Sequence, residues 1–247
     1  MKMHQIKRVA ALVFALIMLT GAVASAKEFV VGTNPEFPPF EFVGDGGEIE
    51  GIDPEIIAAI IQKVDAANTV KIEAMEFDAL IPALASGKID VAIAGMSVNE
   101  DRKKSVDFTD PYFDAVQAII VKEGSEIAGE ADLEGKKIGV QMGTTGDLYV
   151  TDHVKGADVQ RFSKGIDAVQ DVVNGRLDAV VIDAAPAAVF VSQGNGLKLL
   201  SEQLNSGNEQ YAIALPKGSE FVGPFNEALA ALKADGTLDA IIAKHQG

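Results

Sequence analysis

Apolar residues along this chain recur with two periods that alternate, and the alternation predicts strands and helices in turn. "EFVVGTN" is a β-branched stretch stopped by Gly32, which predicts a short strand. In "DPEIIAAIIQKV" the apolar residues return at helical spacing, with Asp53 placed as N-cap and Pro54 as the first helical residue. "KIEAMEF" predicts a strand, "DALIPALASG" a helix closed by Gly87, and "KIDVAIAG" a buried strand. A β-α-β-α-β order implies a largely parallel sheet covered by helices.

The pattern then returns. "GKKIGVQMGTTGDLYV" repeats the strand and Gly-Thr arrangement of "FVVGTN", and "DAVQDVVNGRLDAVVIDAAP" echoes "DALIPALASGKIDVAIAGMS". In the closest stretch Ser86-Gly87-Lys88-Ile89-Asp90 stands against Asn174-Gly175-Arg176-Leu177-Asp178. The chain therefore contains two similar α/β halves, whether by duplication or because helix-Gly-strand units are common to α/β proteins. In open α/β sheets ligands bind beyond the carboxyl ends of strands. Those ends here are Gly32-Thr33-Asn34, Gly95-Met96-Ser97, Met142-Gly143-Thr144-Thr145 and Ile182-Asp183, all of which suit a cleft better than a core.

Late in the chain "YAIALP" predicts a strand, and "FNEALAALKADGTLDAIIAKH" two helical runs split by Gly236. These are assigned back to the first half, since Lys136 to Leu200 already holds its own strands and helices. The polypeptide then crosses between lobes twice, near Phe113 to Ile120 and near Leu204 to Tyr211.

Composition narrows the setting. Met1 to Ala26 has a basic start (Lys2, Lys7, Arg8), an apolar stretch from Val9 to Leu19 and the small-residue end Ala24-Ser25-Ala26, the pattern of a secretory signal peptide cleaved after Ala26. Its apolar stretch falls short of the roughly 20 residues of a spanning helix. With no cysteine there is neither a disulfide framework nor an N-terminal lipid anchor, which places the expected product in the periplasm. Removing the leader's three basic residues from 21 leaves 18 against 36 acidic ones. Such a surface repels nucleic acid and anionic lipid.

One cation stands out against that charge. In "GMSVNEDRKKS" Asn99 is a good N-cap, and Arg102 falls in the first helical turn, where a cation is disfavoured by roughly 0.3–1 kcal/mol. Arg102 is then either a surface residue paired with local acids, or a guanidinium that folds back to the strand end and grips an anion through two parallel hydrogen bonds. Lys103 and Lys104 are assigned to the surface, with Lys104 four residues after Glu100.

"GTNPEFPPFEF", "GIDPEI", "FDALIPALASGKIDVAIAGMSVNEDRKKSVDFTDPYF", "GKKIGVQMGTTG", "GRLDAVVIDAAP" and "LKADGTLDAIIAKH", in this order, resemble the periplasmic solute-binding proteins of polar-amino-acid ABC transporters. The resemblance implies an α/β, two-lobed periplasmic-binding-protein fold of type II, a mixed sheet in each lobe and two hinge strands. Lobe 1 would comprise residues 27–113 and 209–247, and lobe 2 residues 114–208. It implies a monomer that closes on one free amino acid and delivers it to a membrane permease, without cofactor or metal. By matching positions, Arg102 would bind the ligand carboxylate with the Ser97 hydroxyl and the Thr145 backbone N–H. Asp183 and the Gly95 carbonyl would bind the ammonium, and Phe37 and Phe77 would sandwich the side chain. Without the resemblance, Asp183 is equally a helix N-cap before "AAPAAVFV", and Phe37 and Phe77 are core.

Departures from the family pattern bear on the ligand. Asn34 stands where several relatives that bind basic amino acids or glutamine carry an acid, although Glu36 is near. Gln141 stands where glutamine-binding relatives have a lysine. A polar neutral or basic amino acid fits best. Two other functions share the fold: a dehydratase, with Glu36 or Asp183 as acid or base, and a sensing module for a separate receptor. The histidines beyond the leader, His153 and His245, lie in no motif, and fold likeness carries no activity by itself.

Overall fold

The structure, a computed structural model, describes residues 26–201 and 204–246. The leader expected over residues 1–26 therefore lies, but for its last residue, outside the described residues.

Two five-membered strand paths organise the chain. The first sheet holds β1 (Glu28–Thr33), β5 (Thr69–Ala74), β6 (Val91–Ala92), β7 (Val106–Phe108) and β14 (Ala214–Pro216), in the order β5-β1-β6-β14-β7. The second holds β8 (Phe113–Lys122), β9 (Lys137–Gln141), β10 (Asp158–Phe162), β11 (Ala179–Asp183) and β12 (Leu197–Leu199), in the order β10-β9-β11-β8-β12, with β13 (Leu204–Tyr211) also on β8. A small third sheet, β2 (Glu36–Phe37), β3 (Glu41–Val43) and β4 (Ile49–Glu50), leads from the end of β1 toward the first helix.

The sheets are mixed rather than largely parallel. β5-β1-β6 and β10-β9-β11 are parallel triplets, and each is followed by an antiparallel strand, β14 or β8. The repeat seen in sequence is thus a repeat in space. Asp90 accepts the Val30 N–H at 2.9 Å, and Asp178 accepts the Lys137 N–H at 2.8 Å, so matching aspartates pin the central strand of each triplet. Gly87 and Gly175 precede them with φ of 72° and 70°, a left-handed turn that a residue with a Cβ adopts only under strain.

The helix at Ile52–Val64, α1, begins before the position expected of it. Its N-cap is Gly51, which offers no side-chain cap, and Asp53 lies inside the first turn beside Pro54. Packing outweighs the missing cap. Ile52, Ile56, Ile57, Ile60 and Ile61 are fully buried, at about 1.5–3 kcal/mol each, against about 1 kcal/mol for a capping side chain. They pack with Phe29, Phe225, Leu229, Leu232, Leu238 and Ile241. The last five come from α7 (Val222–Ala234) and α8 (Thr237–Gln246), numbered after five intervening helices, so the C-terminal pair does return to the first sheet.

Those five are α2 (Leu80–Ala85), entered through a 3-10 turn at Phe77–Ala79, α3 (Glu100–Lys103), α4 (Thr145–His153), α5 (Gly165–Val173) and α6 (Ala184–Ser192). "YAIALP" is not one strand: β13 ends at Tyr211 and β14 starts at Ala214 in the other sheet. Tyr211 pairs with Phe113, so both passages between the sheets run side by side.

Candidate functional site

The carboxyl ends of the two parallel triplets face one another across a cavity. Its lining includes Asn34 after β1, Gly95 and Ser97 after β6, Gln141 and Thr145 around the end of β9, and Asp183 at the end of β11. Phe37, Phe77 and Arg102 line it too, so all nine residues singled out in sequence are brought together. Thr144, within a strand end expected to face a cleft, completes the wall together with Glu41 and Ala94, which were not foreseen.

Arg102 turns inward. Asn99 caps α3 by accepting the Arg102 N–H at 2.8 Å, which fixes the backbone from which the side chain folds back. Nη1 donates to the Ser97 carbonyl at 2.6 Å and Nη2 to the Gly143 carbonyl at 2.9 Å. The guanidinium carbon lies 5.2 Å from the centre of the Phe77 ring, a cation-π contact. Phe77 thus packs against the cation that opens the cavity. Burial pushes the Arg102 pKa down to about 10, against the pull of Asp183, Glu209 and Tyr211, so the side chain is cationic at neutral pH. Lys103 and Lys104 stay outside, but Lys104 pairs with Asp101 and Lys103 with Glu100, three residues apart in both cases, because α3 is a single turn.

Asp183 is the anionic counterpart. It occupies the N-cap position of α6, yet its side chain makes no capping bond there. Its Oδ1 accepts the Tyr211 hydroxyl at 2.5 Å instead. The capping alternative is therefore set aside for this side chain. Burial, and next the Glu209 charge, raise its pKa to about 7.

Behind the wall lies a carboxylate that no local pattern marks. Glu209 Oε2 accepts from Thr145 Oγ1 at 2.8 Å, Gln117 Nε2 at 2.9 Å and Ser97 Oγ at 3.3 Å, joining a residue after β6, one opening α4 and one on β8. The Ser97 hydroxyl is thus turned to Glu209, and it is the Ser97 carbonyl that meets Arg102. Thr145 is the first residue of α4, with Thr144 as its cap, so its N–H belongs to the first-turn donors that find no acceptor within the helix.

Gly95 is held from below. Its N–H donates to Asp53 Oδ2 at 2.8 Å. Its φ of 49° disfavours a side chain, and a Cβ at this position would lie 2.7 Å from the Phe37 ring, too close to fit. Phe37 is buried near Phe40 and Tyr211 and also lines the cavity. Asn34 and Gln141 bond to each other across the cleft at 2.8 Å, and Asn34 also donates to the Met75 carbonyl at 2.9 Å. Glu36 is taken up by Lys164 at the rim rather than turned to the cavity.

Comparison with known proteins gives one answer. The family model of bacterial extracellular solute-binding proteins, family 3, matches residues 29–247. The chain is 35% identical over 232 residues to an L-arginine-binding protein of Pseudomonas aeruginosa, covering 90% of this chain and 89% of that one. An ancestral arginine-binding protein bound to arginine has a similar structure, with a TM-score of 0.84 and 45% identity over 89% of this chain and 98% of that one. An ancestral arginine-binding protein bound to glutamine gives a TM-score of 0.81 and 44% identity, over 88% and 97% of the two chains.

Proposed function

Because the chain belongs to the bacterial extracellular solute-binding proteins, family 3, we propose that it is the exported binding component of an ABC importer, closing on a basic or polar neutral L-amino acid. It binds and hands over its ligand rather than transforming it. In this reading the leader is cleaved after Ala26 and the mature monomer works in the periplasm. One lobe comprises residues 27–113 and 209–247, the other 114–208, and the closed form presents the ligand to a membrane permease.

The observation that supports this best is the pair of opposite charges on one small cavity. Arg102 and Asp183 both line it, backed by Gly95 and by the first turn of α4. A zwitterion satisfies both at once. Its carboxylate takes the guanidinium fork and the Thr145 N–H, and its ammonium takes Asp183 and the Gly95 carbonyl, charge-assisted bonds that strengthen away from water.

A basic side chain is favoured by Glu41. This carboxyl is wholly buried and lines the cavity, and neither of its oxygens meets a protein N–H or O–H donor; its close polar neighbour is the Asp53 carboxyl, which accepts from it. It supplies the acidic contact for which Glu36 stood as the nearby candidate, since Glu36 is paired with Lys164 at the rim. L-Arginine is therefore the first ligand to test. A thermal-shift screen of the twenty amino acids decides the reading, because a ligand at 100 times its Kd adds about 2.7 kcal/mol to stability. Arginine or a close relative in charge or polarity is expected to raise the melting temperature by several degrees. No shift with any amino acid would end this assignment.

A further inference from the structure

Glu41 sits in β3 with its side chain on the buried face, and its backbone pairs with Phe37. α1 presses Asp53 against it, so two carboxyl groups lie within hydrogen-bonding reach of one another in a fully buried place. They are not equivalent. Asp53 accepts the Gly95 N–H at 2.8 Å and the Tyr112 hydroxyl at 2.8 and 2.9 Å on its two oxygens, so its ionised form is satisfied. Glu41 has no such donors. Two adjacent carboxylates without a cation between them repel and lose their hydration, so one proton stays with the pair, and it rests on Glu41. Burial first, and then Asp53, raise the Glu41 pKa well above the usual carboxylate range, while Asp53 reaches about 6.

The other charged or titratable groups around Glu41 do not change that order. Tyr112, just before β8, is committed to Asp53, and Asp183 of β11 adds negative charge on the same cavity. Tyr211 of β13 is committed to Asp183, and Arg102 of α3 is held by two carbonyls. Lys164, ahead of α5, pairs with Glu36 at the rim.

We propose that Glu41 is an exchangeable proton carrier that sets the charge of the cavity to match the bound side chain, protonated under a neutral one and ionised under a cationic one. When a guanidinium enters, the Glu41 O–H bond breaks, its proton leaves to the buffer, and ligand N–H donors take its place against the carboxylate. When a carboxamide enters, Glu41 keeps its proton and donates to the amide oxygen. One site thereby holds arginine and glutamine in turn, and their relative affinity becomes a function of pH. Arginine gains on glutamine by about tenfold per pH unit wherever the free protein retains the proton. This inference rests on the amino-acid-binding function proposed above.

Titration calorimetry of L-arginine and L-glutamine into the full mature protein at pH 7, in buffers of different ionisation enthalpy, counts the protons released. Release from Asp183 is common to both ligands and cancels in the difference. Arginine is expected to release about one proton more than glutamine. In Glu41→Gln that excess should vanish, and arginine affinity should fall roughly thirtyfold or more relative to glutamine affinity. Equal proton counts for the two ligands on the wild type would overturn the inference while leaving amino-acid binding intact, as would an excess that persists in Glu41→Gln. If the variant does not fold, the wild-type counts decide alone. Failure of both ligands to bind would remove the proposed function itself, and this inference with it.

Discussion

The cationic and anionic ends of the cavity are built in different ways. Arg102 rises from a one-turn helix, and its guanidinium is held by two backbone carbonyls and the face of Phe77. Asp183 ends a fully buried strand and is held by a phenol, Tyr211, with the Glu209 carboxylate nearby. Desolvation acts on both, in opposite directions. It lowers the guanidinium to about 10, far above neutral pH, and raises the carboxyl to about 7, within the working range. The same burial thus leaves one end permanently charged and makes the other depend on pH.

The sharpest way to break this contrast is to remove the permanent charge. Arg102→Ala should cost at least about 2–5 kcal/mol in binding, because it leaves the ligand carboxylate facing backbone carbonyls in a buried place. Arg102→Lys should recover only part of that, since an ammonium cannot supply the parallel pair of bonds. A calorimetric Kd for Arg102→Ala within threefold of wild type would show that the carboxylate is held elsewhere.

At the titrating end the expected loss is smaller. Asp183→Asn keeps the size and one acceptor but removes the charge, for about 1.5–3 kcal/mol in affinity. Were the residue serving as a helix cap, asparagine would serve equally well and the Kd would not move.

Asp183 also sets a pH signature. Its folded pKa of about 7 lies above that of an unfolded aspartate, so it contributes stability that is complete below about pH 4 and is lost as pH rises through 7. Asp53, raised to about 6, acts in the same sense over the lower part of that window. The melting temperature without ligand should therefore fall from pH 4 to 8, while amino-acid affinity rises between pH 6 and 8 as Asp183 ionises. Asp183→Asn should lessen the slope of both profiles between pH 6 and 8, leaving the part that Glu41 contributes. A wild-type melting temperature that rises across this window would contradict the assignment.

The smallest effect is expected at the rim. Asn34→Ala removes the bond to Gln141 across the cleft and should weaken binding by about 0.5–1.5 kcal/mol.

What the sequence disclosed follows the same division. The strand ends and Arg102 were legible because their signals are local: a strand that stops in small residues, a capped turn, and a cation where the helix dipole disfavours one. The aspartates at 90 and 178 gave the repeat for the same reason. The carboxyl network was not legible, because each partnership spans the chain. Asp53 looks like an N-cap in its own helix, and only the fold carries it to Gly95, 42 residues away. Glu209 meets Ser97 at a separation of 112 residues. Glu41 left one clue, an acid between Phe40 and Phe42 in a stretch otherwise apolar, and strand alternation then turns it inward rather than out.

The central claim is that the lobes close on an amino acid whose two charges bridge them. Moving from about 1:99 to 99:1 closed needs roughly 5.5 kcal/mol of differential binding, within reach of two buried charge-assisted pairs. Small-angle X-ray scattering of the mature protein with and without saturating L-arginine measures this directly. The radius of gyration should fall on binding, and Arg102→Ala should show no fall at the same concentration. Superimposable wild-type curves at confirmed saturation would mean that the lobes do not move, and would contradict closure as the mechanism of delivery.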